Sequence, residues 1–196
     1  MLFRSKVLLQ EGNPDIGGSR ASMALMAADT LGIAYEDIHP VVADTVSVGY
    51  SDMTGGSRVT YATGYAVVEA CRDLIRELRA RAAAVWSVDV ERVEWRHGRA
   101  IDRLDPAHIL TLAEIAALCG RMDGPLSGKG AVNLKSAAPS FAVNIADVEV
   151  DPETGGSRVT RFTAIQDAGR AIHPDFVEGQ MQGGAVQGIG DRKSTR

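Results

Sequence analysis

Cysteine is scarce in this sequence. Cys71 and Cys119 are the two, far apart and each set in an apolar helical pattern. Without a C-x-x-C spacing, a disulfide framework and a thiolate zinc site are excluded; buried free thiols in a reducing, cytoplasmic setting are expected. Basic clusters are missing as well. The formal charge is −4, and no Lys/Arg patch offers a nucleic-acid surface. No run of 18 apolar residues occurs, which leaves no membrane-spanning helix. No charged-then-apolar leader opens the chain. His97 and His108 have no second ligand at metal spacing and read as surface residues. What remains is ordinary: 196 residues, 45% hydrophobic and 23% charged, enough to bury a core in one or two domains.

Glycine is the residue the chain has in unusual places. From Gly179 to Gly190, five glycines fall in twelve residues, among Gln180, Gln182 and Gln187. Each costs a helix roughly 1 kcal/mol relative to Ala. Close packing on a neighbour is one reason to keep them. Backbone brought against a bulky polar ligand is the better one, since the glutamines add uncharged donors and acceptors. An acidic turn, Gln166–Gly169, and His173-Pro174 precede this segment.

Two earlier stretches have a related form. Gly17-Gly18-Ser19 precedes a helical pattern that runs to about Leu31, with Ser19 at the N-cap and Gly32 as the stop. Gly55-Gly56-Ser57 precedes a longer pattern through Val67, Leu74 and Leu78 toward Trp86. A glycine pair at a helix start lets unpaired N–H groups and the helix dipole face an anion. Arg58 adds a guanidinium suited to phosphate. A plain tight turn at Gly17 and a solvated arginine at 58 are the alternatives. TGGSRVT occurs at 54–60 and again at 154–160, where it bridges two strands and faces solvent.

The run DAGRAIHPDFVEGQMQGGAVQGIG, residues 167–190, resembles the pterin-binding signature of the molybdenum hydroxylases. These are the molybdopterin-binding large chains of the xanthine dehydrogenase and aldehyde oxidase family. The two earlier glycine loops match that family in the same order. The resemblance implies molybdopterin as cofactor, held by Gly17, Gly18, Gly56, Ser57, Arg58, Val59, Thr60, Gly179 and Gln180. It also implies that no side chain ligates the metal. Gly18 stands where the family places a glutamine. The implied activity is hydroxylation of purine- or aldehyde-type substrates with oxygen from water, with iron–sulfur clusters and FAD on partner subunits or domains. The family's catalytic glutamate belongs to a motif beyond the last residue here, so no catalytic residue is assigned and Glu178 is not promoted to that role. Such a piece is expected to be inactive alone, to need the remainder of its subunit, and to join a homo-oligomer of the full assembly. A nucleotide binder and a non-catalytic assembly protein are the competing readings. The first is weakened because no strand–GxGxxG–helix unit and no GxxxxGK[ST] loop is present.

The remaining patterns fill in the fold. Leu2–Gln10 reads as a strand already under way, Ile38–Ala43 as another, and Val93–Arg96 with Gly98 as a hairpin. Thr111–Leu118 carries a capping box with Glu114. Residues 123–130 are turn-rich, and Ala142–Ile165 is a β-hairpin. The fold class expected is α+β, with mixed and antiparallel sheets and packed helices forming part of the molybdenum-hydroxylase cofactor domain. Residues 1–190 are one partial domain, any subdivision falling near 86–130; residues 191–196 are an unstructured or foreign tail. Gly17, Gly56 and Gly179 are expected to border one cavity.

Overall fold

The structure, a computed structural model, describes residues 2–3, 6–42, 44–122, 124–136 and 139–194, with the backbone alone at 2–3 and 192–194. The chain divides into two compact units, Met1–Lys135 and Ser136–Arg196.

The first unit begins with a three-stranded mixed sheet. Strands β1 (Leu2–Phe3) and β2 (Lys6–Glu11) pair antiparallel, and β3 (Ile38–Val42) lies parallel to β2. The single strand expected over Leu2–Gln10 is therefore two. Alternation explains the face of β2, because Val7, Leu9 and Glu11 are buried while Lys6 and Gln10 are exposed. Helix α1 (Ser19–Leu31) makes the crossover between the parallel strands and buries Met23, Ala24, Ala27 and Leu31 at helical spacing. It ends at Gly32 as expected, in a left-handed conformation that returns the Gly32 N–H to the Ala28 carbonyl at 2.8 Å. Its N-cap is Gly18 rather than Ser19. The two glycines, at φ 66° and 78°, turn the chain without help from a hydroxyl cap.

Helix α2 (Val59–Trp86) buries Val67, Cys71, Leu74, Leu78 and Ala82, a stripe at i+3 and i+4. It packs on α1 so closely that a Cβ at Gly64 would lie 2.5 Å from Met26 Sδ. A meander follows: β4 (Val93–Arg96), β5 (Arg99–Asp102) and β6 (Asp105–Thr111). Trp95 Nε1 donates to the Leu31 carbonyl at 2.9 Å and Arg79 Nε to the Val93 carbonyl at 2.7 Å, fastening this sheet to both helices. Helix α3 (Leu112–Leu118) carries the Thr111/Glu114 capping box expected of it.

Two readings in this region change. His108 is half-buried, stacked on Trp86 with centroids 5.1 Å apart, and its Nδ1 lies 3.3 Å from Asp102 Oδ2. It packs on Trp86 and Asp102 while part of its ring stays exposed, so it is less open than the surface position expected. Beyond Asp123, which lies outside the described residues, residues 125–130 run extended along α2 instead of turning. Lys129 N donates to Asp73 Oδ2 at 2.9 Å, and a Cβ at Gly130 would sit 2.0 Å from the Ala66 carbonyl oxygen. Both cysteines are buried and free.

The second unit is the expected hairpin and helix. Strands β7 (Phe141–Val150) and β8 (Ser157–Asp167) pair antiparallel with a bulge at Asp147/Val148. Their turn is held by Thr154 Oγ1 donating to Asp151 Oδ2 at 2.6 Å. Helix α4 (Pro174–Ser194) lies against β8 and starts at a proline, which suits a first helical position. Its backbone stays helical through 191–194, where an unstructured tail was expected; Arg and Lys are good helix formers and continue it. Thr195 and Arg196 lie outside the described residues. Among the described residues, no helix is long and apolar enough to cross a membrane.

Candidate functional site

The parallel pair β2–β3 with its crossover helix fixes where a ligand would sit. Open sheets of this kind bind ligands beyond the carboxyl ends of their strands, where the following helix presents its N-terminus. In the first unit that place is the turn from Gly12 to Gly18.

Asn13 organises it. The side chain is only 2% exposed and uses all its hydrogen-bonding capacity. Its Nδ2 donates to Thr54 Oγ1 at 2.9 Å and to the Asp52 carbonyl at 3.3 Å. Its Oδ1 accepts from Thr63 Oγ1 at 2.6 Å and from Ser51 Oγ at 3.0 Å. One amide thus ties the turn before α1 to the loop before α2 and to the second turn of α2. The turn that leads to Gly17 and Gly18 is in this way tied to the loop that leads to Gly56, Ser57, Arg58, Val59 and Thr60. Gly179 and Gln180 lie in the second unit.

The two helix starts are not equivalent. Asp15 Oδ1 accepts the Arg20 N–H at 3.1 Å and the Ser19 hydroxyl at 3.5 Å, and Arg20 Nε lies 3.3 Å from Asp15 Oδ2. A carboxylate already occupies the positive end of α1. The start of α2 has no side-chain cap and no acidic residue in its first turn. Gly56 (φ 64°) and Ser57 (φ 56°) are both left-handed, and Arg58 is the N-cap. A non-glycine residue in that region is uncommon. The Arg58 guanidinium is held loosely, 3.7 Å from Asp52 Oδ2 and 3.4 Å from the Met53 carbonyl. Val59 is buried and acts as packing, whereas Ser57 and Thr60 are exposed. The open helix end, the dipole and the neighbouring cation all favour an anion.

Glu11 puts an unexpected buried carboxyl at the end of β2, just before this turn. It is 4% exposed, and neither carboxyl oxygen has a hydrogen-bond partner. Burial first, and the nearby Asp15 second, push its carboxyl up to about 7. Glu11 and Asn13 were both missed in the sequence. Asn13-Pro14-Asp15 reads as ordinary turn chemistry, and only the buried phase of β2, which places Glu11 with Val7 and Leu9, gave any signal.

In the second unit, Gln180 lines an open groove of about 600 Å³ between α4 and the hairpin, with Phe162, Ala164, Met181, Gly184 and Ile189. Apart from the helix's own neighbouring backbone, no atom of the described residues comes within 4 Å of a Cβ built at Gly179, Gly183, Gly184 or Gly188. Tight packing against the described chain therefore does not account for these glycines.

A sequence model of the family described as molybdopterin cofactor-binding domain matches residues 4–191. The chain belongs to this family. It is 32% identical over 193 residues to the gamma subunit of the 6-hydroxypseudooxynicotine dehydrogenase complex of Paenarthrobacter nicotinovorans, covering 94% of this chain and 24% of that one. It is 31% identical to the carbon monoxide dehydrogenase large chain of Hydrogenophaga pseudoflava, covering 87% and 22%. The crystal structure of a Cu,Mo-CO dehydrogenase superposes with a TM-score of 0.81 at 25% identity, over 93% of this chain and 24% of that one. The chain thus spans about a quarter of the length of these relatives. The α+β class and the molybdenum-hydroxylase resemblance read from residues 167–190 are both borne out.

The chemistry of a molybdopterin domain fits what the residues offer. An uncapped helix start beside an arginine suits the cofactor's phosphate, and a glutamine over glycine backbone suits the polar edges of a pterin.

Proposed function

We propose that this chain is the cofactor-holding part of a molybdenum-dependent oxidoreductase that hydroxylates purine- or aldehyde-type substrates with oxygen from water. The observation that carries the reading is the start of α2, uncapped and flanked by Arg58. Backbone N–H groups at Val59 and Thr60 with the Arg58 guanidinium would take the phosphate; Gly56 and Ser57 shape the approach. Gly17 and Gly18 belong to the turn that Asn13 ties to this loop, and Gly179 with Gln180 would address the pterin edge. When bound, molybdopterin supplies the two-electron redox centre. This chain's residues bind and orient it.

The catalytic base lies outside the chain, and the iron–sulfur and FAD centres lie on partner subunits or domains. The relatives are themselves named as a complex subunit and a large chain, which supports assembly with partners. The full assembly is cytoplasmic and homo-oligomeric, and engages neither nucleic acid nor membrane.

The test is metal and pterin analysis of the chain co-expressed with the rest of its subunit. Molybdenum and pterin near one per chain are expected, and Arg58→Ala should lower occupancy about tenfold, as for a lost charge-assisted contact. Bound nucleotide, or neither ligand, would replace this reading with a nucleotide binder or an assembly protein. Substrate oxidation by the 196 residues alone would overturn the placement of the base elsewhere.

A further inference from the structure

The geometry points to Asn13 as a positioning residue: it locks the loop before α2 onto the turn before α1, so that the α1 turn serves the cofactor site by holding the α2 start instead of contacting the anion itself. The inference rests on the molybdopterin reading of the α2 start and assigns a different role to each glycine loop.

Two independent observations support it. The first is the division of Asn13's four hydrogen bonds. The donor side of the amide holds Asp52 and Thr54, the residues that lead into Gly55-Gly56, and the acceptor side holds Thr63 on α2. Three of the groups bonded to Asn13, on Ser51, Asp52 and Thr54, precede the helix; the fourth, Thr63, is inside it. The amide therefore fixes the loop relative to the helix it opens. A buried amide satisfied on every side tolerates no alternative position without leaving polar groups unpaired. The second is the Asp15 carboxylate on the N–H of Arg20. Neither helix has an acid in its first turn, but Asp15 accepts from a helix N–H at the α1 start. Asp52, the acid beside the α2 start, instead accepts from Met53 N and lies 3.7 Å from the Arg58 guanidinium, leaving the α2 N–H groups to an anion. The packing is close as well, since a Cβ at Gly12 would lie 2.7 Å from Ser51 Cβ.

The role can be separated from plain stability by substituting the partner. Thr54→Val keeps the shape and removes the acceptor, and Thr54→Ser keeps the acceptor. Asn13→Asp keeps acceptance from Thr63 but loses both donors. The full subunit is used, and two quantities are read. Hydrogen–deuterium exchange, which needs no cofactor, should show residues 12–20 and 51–60 opening together in Thr54→Val and Asn13→Asp, with the β4–β6 meander unchanged. Pterin release, followed by fluorescence after oxidation, should be about fivefold faster in Thr54→Val, the change expected for one lost hydrogen bond. Thr54→Ser should release it within about twofold of wild type. Faster exchange in one segment without the other overturns the lock. So does unaltered pterin release in Thr54→Val, or release that rises only in step with a fall in the melting temperature of the cofactor-free protein. Wild-type subunit that carries no pterin refutes the molybdopterin reading instead, and the exchange result still decides whether Asn13 couples the loops.

Discussion

Glu11 and Asn13 are two residues apart, both buried, and opposite in how the fold treats them. Asn13 has a partner for every polar atom. Glu11 has none for its two oxygens. A carboxyl in that position is held in its neutral form, and its folded value of about 7 stands above the ordinary 4.5. Between those two values the folded chain binds more protons than the unfolded one, so stability falls as pH rises through that window. It is highest below 4.5 and flat above 7 as far as this group is concerned. The full difference is at most about 3 kcal/mol. Glu11→Gln removes the ionisation, so the variant should match wild type at a pH below about 4.5 and exceed it at about pH 8. Urea unfolding at both values checks this, and parallel pH profiles for the two proteins would refute it. Little of this was legible in the sequence. A glutamate at the end of a strand is usually solvated, and only the alternation of β2 hinted otherwise.

At the scale of elements, much more could be read. The stop of α1 at Gly32, the capping box of α3 and the β7–β8 hairpin follow from local chemistry, and local chemistry is what a sequence displays. The segment over residues 125–130 failed for a physical reason. Glycine serves both a turn, through positive φ, and a close approach of two backbones, and the letters do not distinguish them. Gly130 is the second kind. Its absent Cβ would meet the Ala66 carbonyl oxygen at 2.0 Å, a backbone atom that cannot swing aside. Gly130→Ala should therefore destabilise the first unit by about 2 kcal/mol, the usual cost of overpacking. Gly183 on α4 has open space at the same position. There Ala should strengthen the helix by up to about 1 kcal/mol and still weaken pterin retention, if the glycine is kept for ligand approach. Thermal melts with pterin content separate the two signs. An alanine at 183 that leaves retention unchanged would remove α4's glycines from the binding argument.

The whole molecule is uneven in how it buries its surface. In the first unit α1, α2, α3 and two sheets share one core, with Met23, Leu31, Leu78, Val93 and Ile115 fully enclosed. The second unit is a two-stranded hairpin and one helix. One side of its pleat leaves Phe141, Val143, Ile145 and Ile165 exposed, Phe141 by 72%. Their alternation with Ala142 and Asn144 is regular, so the sequence showed a strand with an apolar face but not what covers that face. Two strands seldom stand on their own in water. As the 196-residue chain, the protein should exchange its β7–β8 amides far faster than those of α1 and the middle of α2, because local opening is easiest where few apolar contacts close over the hydrogen bonds. In the complete subunit the same amides should be protected, since the relatives are about four times as long and share this fold over their matched quarter. Hydrogen exchange by mass spectrometry on both forms decides it. Equal protection of hairpin and helices in the 196 residues would mean that the second unit is stable by itself. Exposed apolar residues on β7 and β8 would then be surface detail, not a face awaiting the rest of its subunit.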